Sequence, residues 1–215
     1  MHSEPIYRDR TDAGAKLAPL LAKRAHDSSV LVLGLPRGGV PVAFEVARAL
    51  GCELDVLVVR KLGTPGQEEL AMGAIASGGV RQLNSRVIRD CRISAEDVEE
   101  ETHREEAELH RREKAYRGNR PPLHVSGRTV IVVDDGLATG TTMLAAVKAL
   151  RSLGAKRLIV AVPVGASDTC RDLAQEVDEL VCPLQPHNLT AIGMWYLDFD
   201  QTTDAEVIRL LGTHV

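Results

Sequence analysis

Four short aliphatic runs punctuate the chain: VLVLG at 30–34, LDVLVV at 54–59, TVIVV at 129–133 and LIVAV at 158–162. They are nearly continuous, without the polar alternation of a strand that has one wet face, and so read as strands buried on both faces. Helical periodicity fills the intervals. Residues 13–25 place Leu17, Leu20 and Leu21 on one face; 40–50 close on Gly51, 142–153 stop at Gly154, and 167–176 form a further helix. A short strand at 179–182 comes last. Strands alternating with helices predict an α/β fold with a central, mostly parallel sheet flanked by helices. Ligands of such sheets bind beyond the carboxyl ends of the strands. Here those ends carry Pro36-Arg37-Gly38-Gly39, Arg60-Lys61 and Asp134-Asp135.

Composition narrows the function. Aromatic residues are only 3 % of the chain, so the core is aliphatic and a base-stacking nucleic-acid platform is not expected. The formal net charge of -4 argues in the same direction, against a nucleic-acid-coating surface. Cys52, Cys91, Cys170 and Cys182 form no CxxC pair, and they read as reduced thiols rather than a zinc site or disulfide framework. The N-terminus shows no apolar signal region and no run is long enough to span a bilayer. These features lead us to expect a cytoplasmic protein with no membrane partner. The 215 residues support one sizeable core, hence a single domain.

The segment 130–142, VIVVDDGLATGTT, carries the most chemistry. Gly136 and Gly140 permit a tight turn and close approach of a ligand to the backbone. Free N–H groups at the start of the following helix favour an anion, and Thr139, Thr141 and Thr142 add hydroxyl donors. This is a phosphate cradle without the lysine of the nucleotide P-loop. Carboxylates at Asp134 and Asp135 would repel a phosphate directly. They suit sugar hydroxyls, a metal ion or a positive charge developing on a sugar. The competing reading is a structural turn whose aspartates cap loop amides. The order of strand, acid pair, glycines, threonines and helix favours a phosphorylated-sugar site.

This segment resembles the phosphoribosyl pyrophosphate (PRPP) motif of type I phosphoribosyltransferases: a hydrophobic strand, two acidic residues and a small-residue loop ending in TG-x-T. The likeness extends to PRGG at 36–39, which resembles the family's pyrophosphate loop. It extends also to Arg60-Lys61 as a basic pair, and to 62–84 in the place of its flexible loop. Within the family the chain looks most like poorly characterised bacterial members. The resemblance implies the type I fold, with a core over about 30–182 and a hood from 183–215, alone or with residues 1–25. It implies transfer of a 5-phosphoribosyl group from PRPP to a nitrogenous base or related nucleophile, releasing pyrophosphate.

Carried onto this chain, Asp134 and Asp135 would bind the ribose 2- and 3-hydroxyls. Gly136, Leu137, Ala138, Thr139, Gly140, Thr141 and Thr142 would hold the 5-phosphate. Arg37, Gly38 and Gly39 would bind pyrophosphate, and Arg60 and Lys61 would add positive charge. Mg²⁺ would be bridged through PRPP and waters, with no direct protein cage. The family often has a cis peptide at the position of Arg37-Gly38, and it commonly forms homodimers.

The resemblance also sets limits. Members acting on 6-oxopurines carry a third aspartate where Ala138 stands, so that base-handling route is absent. Glu68 and Glu69 lie in the loop region, with Glu69 preferred as a proton handler. Trp195, Tyr196 and Phe199 either stack on a base or anchor the C-terminal segment, anchoring being the commoner use of aromatics. His187-Asn188 nearby carries little. A long charged helix at 94–116, with Ser94 as cap and Glu100/Arg104 and Glu108/Arg112 as i,i+4 pairs, reads as a solvated surface helix. A binding protein that keeps the PRPP site without chemistry, and a hydrolase using water as nucleophile, are the competing functions.

Overall fold

In a parallel sheet covered on both faces, every strand side chain meets a hydrophobic layer. The computed structural model of the chain, which describes residues 6–24 and 29–213, is built this way. Helix α1 (Arg10–Leu21) starts at Asp9, whose carboxylate accepts from the Asp12 N–H. Leu17 and Leu21 are buried but Leu20 is exposed, because the buried stripe is centred on residues 14, 17 and 21 and position 20 falls at its edge. A short 3-10 turn, Ala22–Arg24, follows; Ala25 lies outside the described residues.

Strand β1 (Leu31–Gly34), helix α2 (Gly39–Leu50) and strand β2 (Glu53–Val56) come next. Gly51 ends α2 with φ +64°, the left-handed geometry that glycine adopts without cost. Then come β3 (Val59–Thr64), β4 (Gln67–Ala76), β5 (Val80–Leu83), α3 (Ser85–Asp90) and α4 (Ala95–Arg117). The remainder is β6 (Thr129–Val133), α5 (Thr141–Ser152), β7 (Arg157–Ala161), α6 (Ser167–Leu173), β8 (Glu179–Val181) and α7 (Asp204–Thr213). The central sheet is parallel throughout, in the order β2-β1-β6-β7-β8.

Two sequence expectations change here. The run 54–59 is not one strand. The chain leaves the sheet after Val56, and Val58 exchanges hydrogen bonds with Ser77, which starts a second sheet at Val59. The stretch 62–84 is therefore part of a three-stranded antiparallel sheet, β3-β4-β5, rather than a loop with a two-stranded ribbon.

Strand periodicity divides the core into two layers. Val32, Ile131, Val133 and Ile159 face α1, α2, α4, α7 and the second sheet. Leu31, Leu33, Val130, Val132, Leu158 and Val160 face α5 and α6. Residues one apart take opposite faces, so both sets must be apolar.

Helix α4 is more than a solvated arm. Ser94 caps it as expected, in a capping box with Asp97, and Glu108 pairs with Arg112. Arg104 pairs with Glu101 rather than Glu100. Val98, Leu109 and Tyr116 are buried, packing the helix against β3 and α7. The last stretch of the chain splits in two. Residues around Tyr196 join Tyr7, Ala13 and Val164 in a small separate cluster, while α7 packs on α2 and α4. No described helix is long and apolar enough to cross a membrane.

Asp55 stands inside the apolar layer, almost fully buried, and accepts from Arg117 Nε at 3.0 Å and Arg117 Nη2 at 3.0 Å. Removing one partner of a buried pair leaves an uncompensated charge. Asp55→Ala is expected to lower the free energy of unfolding by about 3–5 kcal/mol in urea titrations; a loss of under about 1 kcal/mol would show that Arg117 is not desolvated there.

Candidate active site

Strand order β2-β1-β6 means that the chain leaves β1 toward one side and β6 toward the other. A crevice opens between their carboxyl ends, the topological switch point of an open α/β sheet. Gly34 and Val133 are neighbours in register, so the loops after them face each other across that crevice.

The first loop carries Arg37, Gly38 and Gly39. Its cis peptide joins Pro36 to Arg37, one residue earlier than the family resemblance implies. A Cβ on Gly38 would land on the Asp135 carboxylate, and one on Gly39 would lie 2.6 Å from the Val133 carbonyl oxygen. Only glycines let this loop pack directly onto the acid pair. The Arg37 side chain reaches outward, with Nη1 3.7 Å from Asp204 at the start of α7. Asp204 also accepts from the Tyr116 hydroxyl at 2.7 Å. Burial, then this hydrogen bond, push the Tyr116 phenol up to about 12.

The second loop begins with the acid pair. Asp134 Oδ1 accepts from the Asp135 N–H at 2.8 Å. Burial, and next the Asp135 carboxylate, raise the Asp134 carboxyl well above its ordinary value of 3.8. Asp135 Oδ2 accepts from Arg10 Nε at 2.8 Å, and the Asp135 carbonyl accepts from the Tyr196 hydroxyl at 2.6 Å. Burial, and then Asp135, hold the Tyr196 phenol far above its usual range, so it remains a donor.

Beyond the acid pair, the loop is anchored at its centre and open at its rim. Leu137 is buried, its N–H donating to Val164 and its carbonyl accepting from Ala166. Ala138, Thr139, Thr141 and Thr142 are exposed. Thr169 Oγ1 donates to the Ala138 carbonyl at 2.7 Å and shapes the bend. Gly140 precedes α5 at φ +72°, and no side chain caps that helix. The first turn of α5 therefore offers uncapped N–H groups to an anion. Gly136 leaves room for Ile192, which a Cβ would meet at 2.5 Å.

The basic pair separates. Successive strand residues point to opposite faces, so Lys61 lines a cleft of about 330 Å³ with Thr141 and Thr142, between the second sheet and α5. Arg60 turns the other way and binds Glu105 of α4 at 2.6 Å. Glu69 is fully exposed near the tip of β3–β4 and pairs with Lys61 at 3.1 Å; the structure does not bring it to the acid pair. The aromatic residues pack on one another, with Tyr7 to Tyr196 ring centres 5.4 Å apart and Tyr196 to Phe199 4.8 Å. They anchor the segment around residue 196 to Tyr7, ahead of α1. His187 meets Ser167 at 3.2 Å, away from the acid pair.

Sequence reasoning did not single out Arg10, Asp204 or Ile192. All three reach the site across more than fifty residues of chain, and no local spacing marks them.

The family model of the phosphoribosyl transferase domain matches residues 7–194. The chain belongs to the phosphoribosyltransferase family. A protein of Mycobacterium tuberculosis, provisionally named a phosphoribosyl transferase, is 46 % identical over 206 residues, covering 96 % of this chain and 46 % of that one. A ribose-phosphate pyrophosphokinase of Methanopyrus kandleri is 32 % identical over 151 residues, covering 57 % of this chain and 49 % of its own length. The chain thus spans about half the length of the curated relatives it matches. The crystal structure of TT1426 from Thermus thermophilus superposes with a TM-score of 0.86 at 42 % identity, covering 97 % of this phosphoribosyltransferase-family chain and 98 % of that one.

The raised Asp134 carboxyl makes a stability prediction. The folded protein keeps this proton at pH values where the unfolded chain has lost it. The site's contribution is therefore fully present in acid and declines as pH rises from about 3.8 through the raised folded value. Asp134→Asn should stabilise the unliganded protein at neutral pH and flatten that slope in urea unfolding followed against pH. A variant less stable than the parent at pH 7 would contradict a desolvated carboxyl.

Proposed function

We propose that this chain binds PRPP and transfers its 5-phosphoribosyl group to a nucleophile, releasing pyrophosphate. One observation carries the reading. The glycine loop 36–39 packs directly on the Asp134-Asp135 pair, and the exposed loop 138–142 continues from that pair into the uncapped start of α5. A ligand lying along this line meets an anion site, two carboxylates and a second anion site in order. PRPP has a 5-phosphate, a ribose diol and a pyrophosphate in that order.

In this reading the loop 136–142 and the first turn of α5 hold the 5-phosphate, with Thr139, Thr141 and Thr142 as hydroxyl donors. Asp134 and Asp135 accept from the ribose hydroxyls. Gly38 and Gly39 approach the pyrophosphate with backbone, and Arg37 and Lys61 add charge when they leave Asp204 and Glu69. The C1–O bond breaks with its electron pair going to pyrophosphate, the ribose carbon becomes cation-like, and the acceptor's lone pair forms the new bond. The negative charge of the acid pair stabilises that carbon.

The donor set fits Mg²⁺. Asp134 and Asp135 are the carboxylates that would hold it, with its remaining ligands from the phosphosugar and water. Bound there, Mg²⁺ would supply positive charge against the phosphate oxygens. Arg60 is ion-paired with Glu105 of α4 and has no part in this reading. Ala138 presents no carboxylate for a 6-oxopurine, which directs attention to other acceptors.

Pyrophosphate release from PRPP and Mg²⁺, across a panel of nucleobases and small amines, tests this function. We expect release that depends on one acceptor class. Asp134→Asn combined with Asp135→Asn should cut it by about 100-fold. Release with no acceptor added would instead make the chain a hydrolase. PRPP binding with no release under any condition would make it a binding protein.

A further inference from the structure

Arg10 stands at the start of α1, far in sequence from every motif of the site, yet its guanidinium is built into it. Nε donates to Asp135 Oδ2 at 2.8 Å and Nη1 to the Asp200 carbonyl at 2.6 Å. The guanidinium carbon lies 3.9 Å from the centre of the Phe199 ring. A Cβ on Gly38 would come within 3.2 Å of Arg10 Nε, so the glycine loop also borders this group. The Arg10 and Asp135 side chains are only 12 % and 16 % exposed. This pair is therefore screened far less than a surface ion pair.

Two consequences follow from the geometry. The ring face and the carbonyl hold the guanidinium on two further sides. Arg10 occupies one acceptor site of Asp135 Oδ2, so Oδ1 is the less engaged oxygen for a ligand hydroxyl. The second consequence is electrostatic. Adjacent carboxylates would repel a ligand with phosphate at both ends. Arg10 offsets the Asp135 charge where it stands.

We propose that Arg10 is a positioning residue for the acid pair, aiming Asp135 and balancing its charge, and that α1 is thereby part of the phosphosugar site. This proposal rests on the PRPP reading. Arg10 touches no reacting atom; it acts through Asp135.

A double-mutant cycle on PRPP affinity, measured by titration calorimetry with Mg²⁺ present, tests it. Arg10→Met is expected to weaken PRPP by about tenfold or more, the worth of a charge-assisted hydrogen bond. In the Asp135→Asn background the same change should cost much less, because the partner through which it acts is gone. Arg10→Lys keeps the charge but loses the planar fork, and should recover part of the affinity; it also serves if Arg10→Met fails to fold. A merely structural role predicts lower thermal stability, equal PRPP affinity of the folded variants, and no recovery by lysine. Equal affinity in Arg10→Met and the parent, or additive losses in the cycle, would overturn the proposal while leaving the PRPP reading intact. A parent protein that binds no PRPP would refute that reading and the role of Arg10 with it.

Discussion

The contact between Gly38 and the Asp135 carboxylate is the constraint on which the rest of the site depends. It exists because β1 and β6 are sheet neighbours whose connections run in opposite directions, so their carboxyl-end loops converge before parting. Any side chain on Gly38 would occupy the space of the carboxylate. The backbone of one loop is thus in contact with the charged groups of the other, and a ligand placed there meets both at once. Such close approach positions a substrate before any chemistry begins, which is where enzymes of group transfer gain much of their rate.

Charge balance follows from the same contact. Burying two neighbouring carboxylates is costly unless one is neutralised and the other paired. Both effects show side by side: burial and the neighbouring Asp135 raise the Asp134 carboxyl above its ordinary value, and Asp135 has Arg10. The cations on the other side are held elsewhere. Arg37 rests near the half-buried Asp204 at 3.7 Å and Lys61 on the fully exposed Glu69, pairings that a polyanionic ligand can replace at small cost. The structure therefore combines an acid pair held in place on one side by Arg10 with cations in weak, exchangeable pairings.

Much of this architecture was legible in the sequence. Continuous aliphatic runs mark strands buried on both faces, and β6 spans the residues expected of it. Of the three polar groups expected at strand ends, residues 36–39 and Asp134-Asp135 do follow β1 and β6 at the crevice, whereas Arg60-Lys61 lie inside β3 of the second sheet. The second sheet was not legible, since the run 54–59 looks continuous in one dimension and the turn of the chain after Val56 depends on Ser77, nineteen residues on from Val58. The divergence of Arg60 from Lys61 depends on that same strand assignment, and so does the distance of Glu69 from the acid pair. Arg10 and Asp204 are tertiary partners, and no period or spacing announces a contact across 125 residues.

The central claim is that one ligand spans both anion sites, with its sugar over the acid pair. Calorimetric titration of PRPP against ribose 5-phosphate and pyrophosphate, each with Mg²⁺, addresses it most directly. Joining two binding groups on one scaffold makes the second contact intramolecular, and the account predicts that PRPP binds about 100-fold more tightly than either fragment. Ribose 5-phosphate binding as tightly as PRPP would contradict it, by showing that the glycine loop takes no part in holding the ligand.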